Sequence, residues 1–353
     1  MSFTKGFLSG TVASVTCCAL YSLLDVTPRK SVLLESVDHA LLEDVAKLEK
    51  TREILKYGIP DRGPAIRSYS DHVLAYDQAR KIPIWVAEHL HRGKLTGSAN
   101  RKKSRFLPDL DLESRFSATN DDFWHSGWSR GHMAPAGNYK YDQRSMSDTF
   151  YLTNILPQDI DNNGGFWNRF EMYCRDLTKK FKDVRVISGP VTLPEVEEDG
   201  KLYVTYEVIG KSQVAVPTHL FKVIVAENDN DSHKKYVGAF IVPNKPISSH
   251  KLQDFEVSVD DLERKTGVTF LPKLDKLMQS SLCGKDGCAF MSSNEFELDM
   301  TRRRIKWADS VHQLEKSWME LKNKRIKPDE HLVTLYQNRK NELVQKEQLK
   351  HEL

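Results

Sequence analysis

The stretch from Ser129 to Glu171, SRGHMAPAGNYKYDQRSMSDTFYLTNILPQDIDNNGGFWNRFE, constrains this chain more than any other. It gathers one histidine preceded by a glycine, three arginines, a set of amides and one glutamate within a short span. Hydrolysis of a phosphodiester needs a group that takes a proton from water, charge neutralisation at the phosphoryl oxygens and stabilisation of the departing oxygen. The chain carries no Gly-rich phosphate loop of the Walker type and no carboxylate cluster, so these few groups must do that work with a hydrated cation.

His132 is the candidate general base, since an imidazole with an ordinary pKa near ~6.5 is able to accept a proton at working pH. Arg130 stands two residues before it, and Gly131 permits close backbone approach. Asn154, Gln158, Asn162 and Asn163 supply neutral oxygens. A hard cation such as Mg²⁺ takes oxygen ligands and keeps several waters, so one amide is enough to tether it. Asn-Asn-Gly-Gly at 162–165 reads as a turn leading to a helix near Phe166. A helix starting as early as Asn163 puts Asn163, Trp167 and Glu171 on one face at four-residue steps, with Glu171 ordering the cation's waters.

The rest of the chain reads as an α+β domain followed by a helical tail. Strand-like runs lie at Val184–Pro190, Leu202–Ile209, Val214–Val216, Leu220–Ala226 and Val237–Val242, and Ser258-x-x-Asp261 has the form of a helix N-cap box. The character changes near Phe296. Val311, Leu314, Trp318 and Leu321 make one apolar helical stripe, Pro328 breaks it, and a second helix is expected over Glu330–Glu347. Two readings fit this tail: a helical pair packed on the core, and a nucleic-acid-guiding appendage, because Arg302, Arg303, Arg304 and Lys306 cluster at its start. The net charge of +3 excludes a general polycation, so any nucleic-acid surface must come from such local clusters.

Residues Gly6–Leu24 carry no charge and are followed by Arg29 and Lys30. The length just suffices for a bilayer-spanning helix, and no convincing cleavage site follows. We expect an uncleaved anchor or organelle-import segment over 1–30, a charged helical connector over 31–67 (apolar at Leu41, Leu42, Val45, Leu48 and Leu55), a core over 68–295 and a tail domain over 296–353. The terminal Lys350-His351-Glu352-Leu353 departs from an ER-retention signal at its second residue and is read as accidental. Five cysteines are too few and too odd for a disulfide framework. Cys283 and Cys288 stand close enough to bridge or share a metal, but no second Cys/His pair is near, and reduced structural thiols are expected.

Ser129-Arg-Gly-His132, YLTNILPQ from Tyr151, Asn163 and the WNRFE run ending at Glu171 together resemble the DNA/RNA non-specific endonucleases, the ββα-metal or His-Me finger family. The family usually has Asp where this chain has Ser129. A mitochondrial, endonuclease-G-like exonuclease branch shares the Ser in SRGHMAPAGN. Likeness to that branch extends over YDQARKIP from Tyr76, RKKSRFLPD from Arg101, VAVPTHLFKVI from Val214 and the tail through LEKSWMELKN.

The resemblance implies a ββα-metal core with a central mixed β-sheet flanked by helices, plus a C-terminal helical wing. It implies His132 as base, Asn163 as sole direct ligand of Mg²⁺ or Mn²⁺, and Glu171 as holder of its waters. Asn154 and Gln158 match supporting amides. Arg101 matches the arginine that neutralises transition-state charge, with Arg105 its competitor for that role. It further implies a homodimer, 5′→3′ exonucleolytic cutting, with endonuclease capability, of single- and double-stranded DNA with RNA as a further substrate, 5′-phosphate ends, a place in mitochondrial DNA processing or repair, and an N-terminal anchor in the inner membrane. The alternatives are an endonuclease of the endonuclease G type, a catalytically silent nucleic-acid-binding scaffold, and hydrolysis of another phosphodiester.

Overall fold

The computed structural model describes residues 51–52, 54–57, 61–228, 234–247 and 250–351. The expected anchor over 1–30, all of the connector before residue 51 and the final Glu352-Leu353 lie outside the described residues. The chain divides into one unit ending at Asp61 and a second running from Arg62 to Leu353. In the first, Thr51, Arg52 and Ile54 are helical. The second carries the rest of the description.

Its principal strands are β1 (Arg67–Ser68), β2 (His72–Asp77), β3 (Ile82–Leu90), β4 (Ser129–His132), β5 (Ile155–Gln158), β6 (Asp183–Val191), β7 (His219–Glu227), β8 (Lys235–Pro243), β9 (Glu256–Val257) and β10 (Gln279–Ser281). Eight of them form one sheet in the order β1-β2-β3-β6-β7-β8-β9, with β10 also on β8. Every pairing is antiparallel except β8 with β10. The sheet is therefore mixed and the architecture α+β, as expected.

The long central strands are apolar on both faces because both faces are covered. In β7, Leu220, Ile224 and Ala226 join the larger core, whereas Phe221 and Val223 join a second core with Leu262 and Phe270. Lys222 breaks the pattern: it is buried, donates to Ser188 Oγ at 2.7 Å and sits 4.4 Å from the ring centroid of Trp167. The runs expected at 184–190, 220–226 and 237–242 are strands one to two residues longer at either end.

The run expected over 202–209 is not one strand. Leu202–Tyr203 pairs only with Glu195–Val196, and Val208–Ile209 with Val214–Ala215. Its apolar residues Leu202, Val204 and Val208 are exposed. Alternation without a facing layer does not make a sheet strand. Ser258 does cap its helix, its side chain accepting from the Asp261 N–H.

Helix α1 (Asn168–Leu177) packs Phe170, Tyr173, Cys174 and Leu177 into the larger core. The tail holds three helices rather than two: α2 (Ser293–Lys306), α3 (Val311–Asn323) and α4 (Glu330–His351). A capping box of Ser292 and Glu295 starts α2. The expected stripe is buried within the tail itself. Leu314 and Leu321 bury with Ile305, Ala308, Leu332 and Leu343 in a cluster of the tail's own, and Trp318 stacks on Tyr336 at 4.4 Å.

The arginines at the start of the tail are engaged there as well: Arg302 with Asp329, Arg303 with Asp299 and Arg304 with Glu320. The expected reduced thiols are also overturned, since Cys283 and Cys288 form a disulfide. The segment between them closes because Gly287 and Cys288 both take positive φ (83° and 44°). Among the described residues, Cys174 is free and buried.

A tail with its own core unfolds when that core is emptied. Leu314→Ala is expected to cost about 2–5 kcal/mol, read as a lower urea midpoint for the tail's helical signal. An unchanged midpoint contradicts a separate tail core.

Candidate active site

Strands β4 and β5 make a short ribbon in the register Ser129↔Gln158, Arg130↔Pro157, Gly131↔Leu156 and His132↔Ile155. A Cβ on Gly131 would lie 2.2 Å from Gln158 Oε1, so the Gln158 side chain fills the space a larger residue needs. Gln158 Nε2 donates to Asn162 Oδ1 at 3.0 Å. Asn162 in turn donates to the carbonyls of Pro243 and Lys245, each at 3.0 Å, which ties the ribbon to the end of β8. Asn162 is buried and engaged, not a ligand.

The expected turn at Asn-Asn-Gly-Gly is helical instead. Ile160–Asn162 is α-helical, Asn163–Trp167 forms a π-helical turn and α1 continues from Asn168. Burial of Phe166 and Trp167 overrides the turn preference of the glycines. The wide turn also undoes the single-face expectation: Trp167 is fully buried against Lys222, whereas Asn163 and Glu171 remain partly exposed. π-turns recur at functional sites.

His132 is buried at the end of β4, between Phe150 and Phe106 at centroid distances of 4.9 and 5.3 Å. A hydrogen bond to the Arg130 backbone holds the ring, and Nε2 has no partner. The bonded nitrogen is therefore Nδ1, which donates to the carbonyl and leaves the Nε2 lone pair free. Burial, aided by the positive charge of Arg101, lowers the ring's pKa to about 3. The imidazole is neutral at working pH, as a base must be.

Arg101 opens an exposed 3₁₀ turn (Arg101–Lys103), its guanidinium 5.6 Å from the centroid of the same Phe150 ring. Of the two candidate arginines, it is Arg101 rather than Arg105 whose charge reaches both His132 and Glu171. Burial raises the Glu171 carboxyl to about 7, opposed by Arg175, Lys222 and Arg101. Arg175 donates to Asn138 Oδ1 at 2.9 Å, and Asn138 donates to Glu88 at 2.8 Å. The sequence reading missed Arg175, Lys222 and Glu88. Only Arg175 left a signal, lying four residues after Glu171 on one helix.

Two expected catalytic residues are engaged by neighbouring groups of the chain. Arg130 donates to the Asn120 carbonyl at 3.2 Å and lies over the rings of Phe106 and Phe123, 5.2 and 5.4 Å from their centroids. Asn154 is fully buried; it accepts from the Ala134 N–H and donates to the carbonyls of Ala134 and Thr149. It staples the segment after His132 and has no atom for substrate.

Asn163 donates from Nδ2 to Ser129 Oγ at 2.9 Å, and Ser129 Oγ donates to the Gln158 carbonyl at 2.7 Å. The bond uses the amide nitrogen, so the carbonyl oxygen is the atom offered to a cation. One neutral oxygen with a carboxylate one helix segment away fits a hard, largely hydrated divalent ion. Among the described residues no three His, Cys, Asp or Glu side chains converge on a closed metal site.

The profile of the DNA/RNA non-specific endonucleases matches residues 50–277, and that of the endo/exonuclease (EXOG) C-terminal domain matches 291–339. Nuclease EXOG, mitochondrial, from Danio rerio is 52% identical over 293 residues, covering 83% of this chain and 85% of that protein. The Homo sapiens protein of the same name is 43% identical over 350 residues, 98% of this chain and 94% of its own length. The solved structure described as the EndoG/EndoGI complex aligns at a TM-score of 0.60 and 39% identity, over 65% of this chain and 95% of that one. With a neutral buried imidazole, an oriented amide and a half-buried carboxyl on one ribbon-and-helix unit, the chain belongs to the DNA/RNA non-specific endonuclease family of phosphodiester-hydrolysing enzymes.

Proposed function

We propose that this chain is a mitochondrial nuclease that uses Mg²⁺ or Mn²⁺ to cut DNA, with RNA as a further substrate, from a 5′ end, leaving 5′-phosphates. The observation that carries the chemistry is the unpartnered Nε2 of a neutral His132. In this reading the Nε2 takes the proton of the attacking water. The Arg101 guanidinium neutralises charge growing on the phosphoryl oxygens. The Asn163 carbonyl oxygen anchors the cation, and Glu171 orients the waters around it. Once bound, the cation supplies Lewis-acid stabilisation of the reacting and departing oxygens.

The direction of cutting is supported by the match of residues 291–339 to the EXOG C-terminal domain. Residues 296–353 are proposed as a wing that favours a free end over a continuous duplex, attached to a nuclease core over 68–295. We also propose a homodimer held to the inner membrane through residues 1–30, with 31–67 as the connector, acting in mitochondrial DNA processing or repair. The names of the relatives, nuclease EXOG, mitochondrial, support the compartment. A second reading, an endonuclease without end preference, is favoured by the likeness of the core to EndoG.

A 5′-labelled duplex and a closed circle separate the two readings. Short labelled fragments before any opening of the circle are expected; rapid opening of the circle at comparable rates contradicts the end preference. In the same assay His132→Ala should lower the rate by roughly 10²–10⁴ while DNA binding persists through phosphate contacts. A wild-type rate removes His132 from the mechanism.

Glu171 makes cation binding pH-dependent. Its carboxyl is raised to about 7 when no cation is present, so below that pH a proton must leave as the cation arrives. Apparent Mg²⁺ affinity, measured by calorimetry without nucleic acid, should be constant above about pH 7 and fall toward tenfold per unit below it. A flat profile down to about pH 5.5 contradicts the role given to Glu171.

A further inference from the structure

We propose that Ser129 is a positioning residue for the cation: its hydroxyl decides which end of the Asn163 amide faces the metal. The inference rests on the reading of Asn163 as the direct ligand. A primary amide has two ends of nearly equal size, and a half-turn of its last torsion exchanges oxygen for NH₂. The nitrogen end has protons and no lone pair to give a cation. A site with several protein ligands tolerates some of this freedom. A site with one amide ligand does not.

Ser129 removes that freedom through a relay of two hydrogen bonds. Its hydroxyl has a single proton, and that proton goes to the Gln158 carbonyl at 2.7 Å. Toward Asn163 the Ser129 oxygen is left with lone pairs alone, so it accepts from Nδ2 at 2.9 Å. Turned over, the amide would set its own oxygen against those lone pairs and lose the bond. The Gln158 carbonyl is fixed in turn, because Ser129 and Gln158 are register partners across the β4–β5 ribbon. On the other side, the Asn163 N–H is bonded to the Asp159 carbonyl at 2.9 Å, which pins its backbone in the helix. Ribbon register thus becomes amide orientation, with Ser129 as the converter.

The relay also explains what a neutral residue accomplishes at this position. Ser129 orients the ligand without adding charge, so Glu171 remains the one carboxylate given a role toward the cation. A hydroxyl is needed because it both donates and accepts. Alanine does neither, and a thiol of similar shape does both weakly.

The test is Mn²⁺ binding to the full chain without nucleic acid, followed by the electron paramagnetic resonance signal of free Mn²⁺. Ser129→Ala and Ser129→Cys should weaken binding by about 10–100-fold, the range for residues that orient a ligand. Ser129→Thr, which keeps the hydroxyl, should bind within a few-fold of wild type. Excess Mn²⁺ should restore DNA cleavage to Ser129→Ala and not to His132→Ala. Thermal unfolding in chelator identifies any variant that fails to fold; if alanine does, the threonine and cysteine variants decide. Wild-type affinity in Ser129→Ala, with binding lost in Asn163→Ala, overturns the proposal and leaves Asn163 as ligand. Wild-type affinity in Asn163→Ala overturns both. A threonine variant as weak as alanine shows that the hydroxyl is not what matters and also overturns the proposal.

Discussion

The site depends on how closely a two-stranded ribbon and a helix approach one another. Gly131 makes room within the ribbon for the Gln158 side chain, which occupies the volume where a Cβ would stand and from there reaches the helical segment. From this contact the rest follows in order. Gln158 reaches Asn162, Asn162 reaches the end of β8, and the helix that carries Asn163 and Glu171 is docked at a fixed height over the ribbon that carries Ser129 and His132.

Charge is arranged around the site in two layers. Next to the reacting groups, the donors are almost all neutral: a buried imidazole, an amide and a hydroxyl. Beneath them lie Glu88, Lys222 and Arg175, carried by sheet strands and by α1, with Asn138 bridging Arg175 to Glu88 and Trp167 beside the Lys222 ammonium. Buried charge of this kind adds little net stability unless well bonded. Here Arg175 and Lys222 temper the burial that raises the Glu171 pKa, while Glu88 adds to the rise. A carboxyl poised near neutrality suits a ligand shell that assembles only when the cation arrives.

The sequence made legible whatever depends on local pattern. The β-branched runs at 184–190, 220–226 and 237–242 are strands because each places apolar residues on both covered faces. The stripe of Val311, Leu314, Trp318 and Leu321 is a helix for the same kind of reason. The motif residues His132, Asn163 and Glu171 were legible through family resemblance and through their chemistry, and they lie on the expected ribbon and helix.

What escaped was set by tertiary context. Nothing local distinguishes Asn-Asn-Gly-Gly in a π-turn from the same residues in a loop; burial of the next two aromatics does. Lys222 is one charge in an apolar run, and its Trp167 partner is distant in sequence. Asn154 carries the right functional group, but backbone groups on either side take up its amide. Cys283 and Cys288 pair because left-handed residues fold their segment back, which an odd cysteine count conceals.

The central claim is that one side-chain amide oxygen, correctly turned, is the protein's direct hold on the cation. Anomalous diffraction from crystals soaked in Mn²⁺ tests it most directly. The account predicts one peak at about 2.1–2.3 Å from Asn163 Oδ1, a distance suited to an oxygen ligand of a small hard cation, with Glu171 reached only through waters. A peak bonded directly to Glu171 or to His132 Nε2, or none near Asn163, contradicts it.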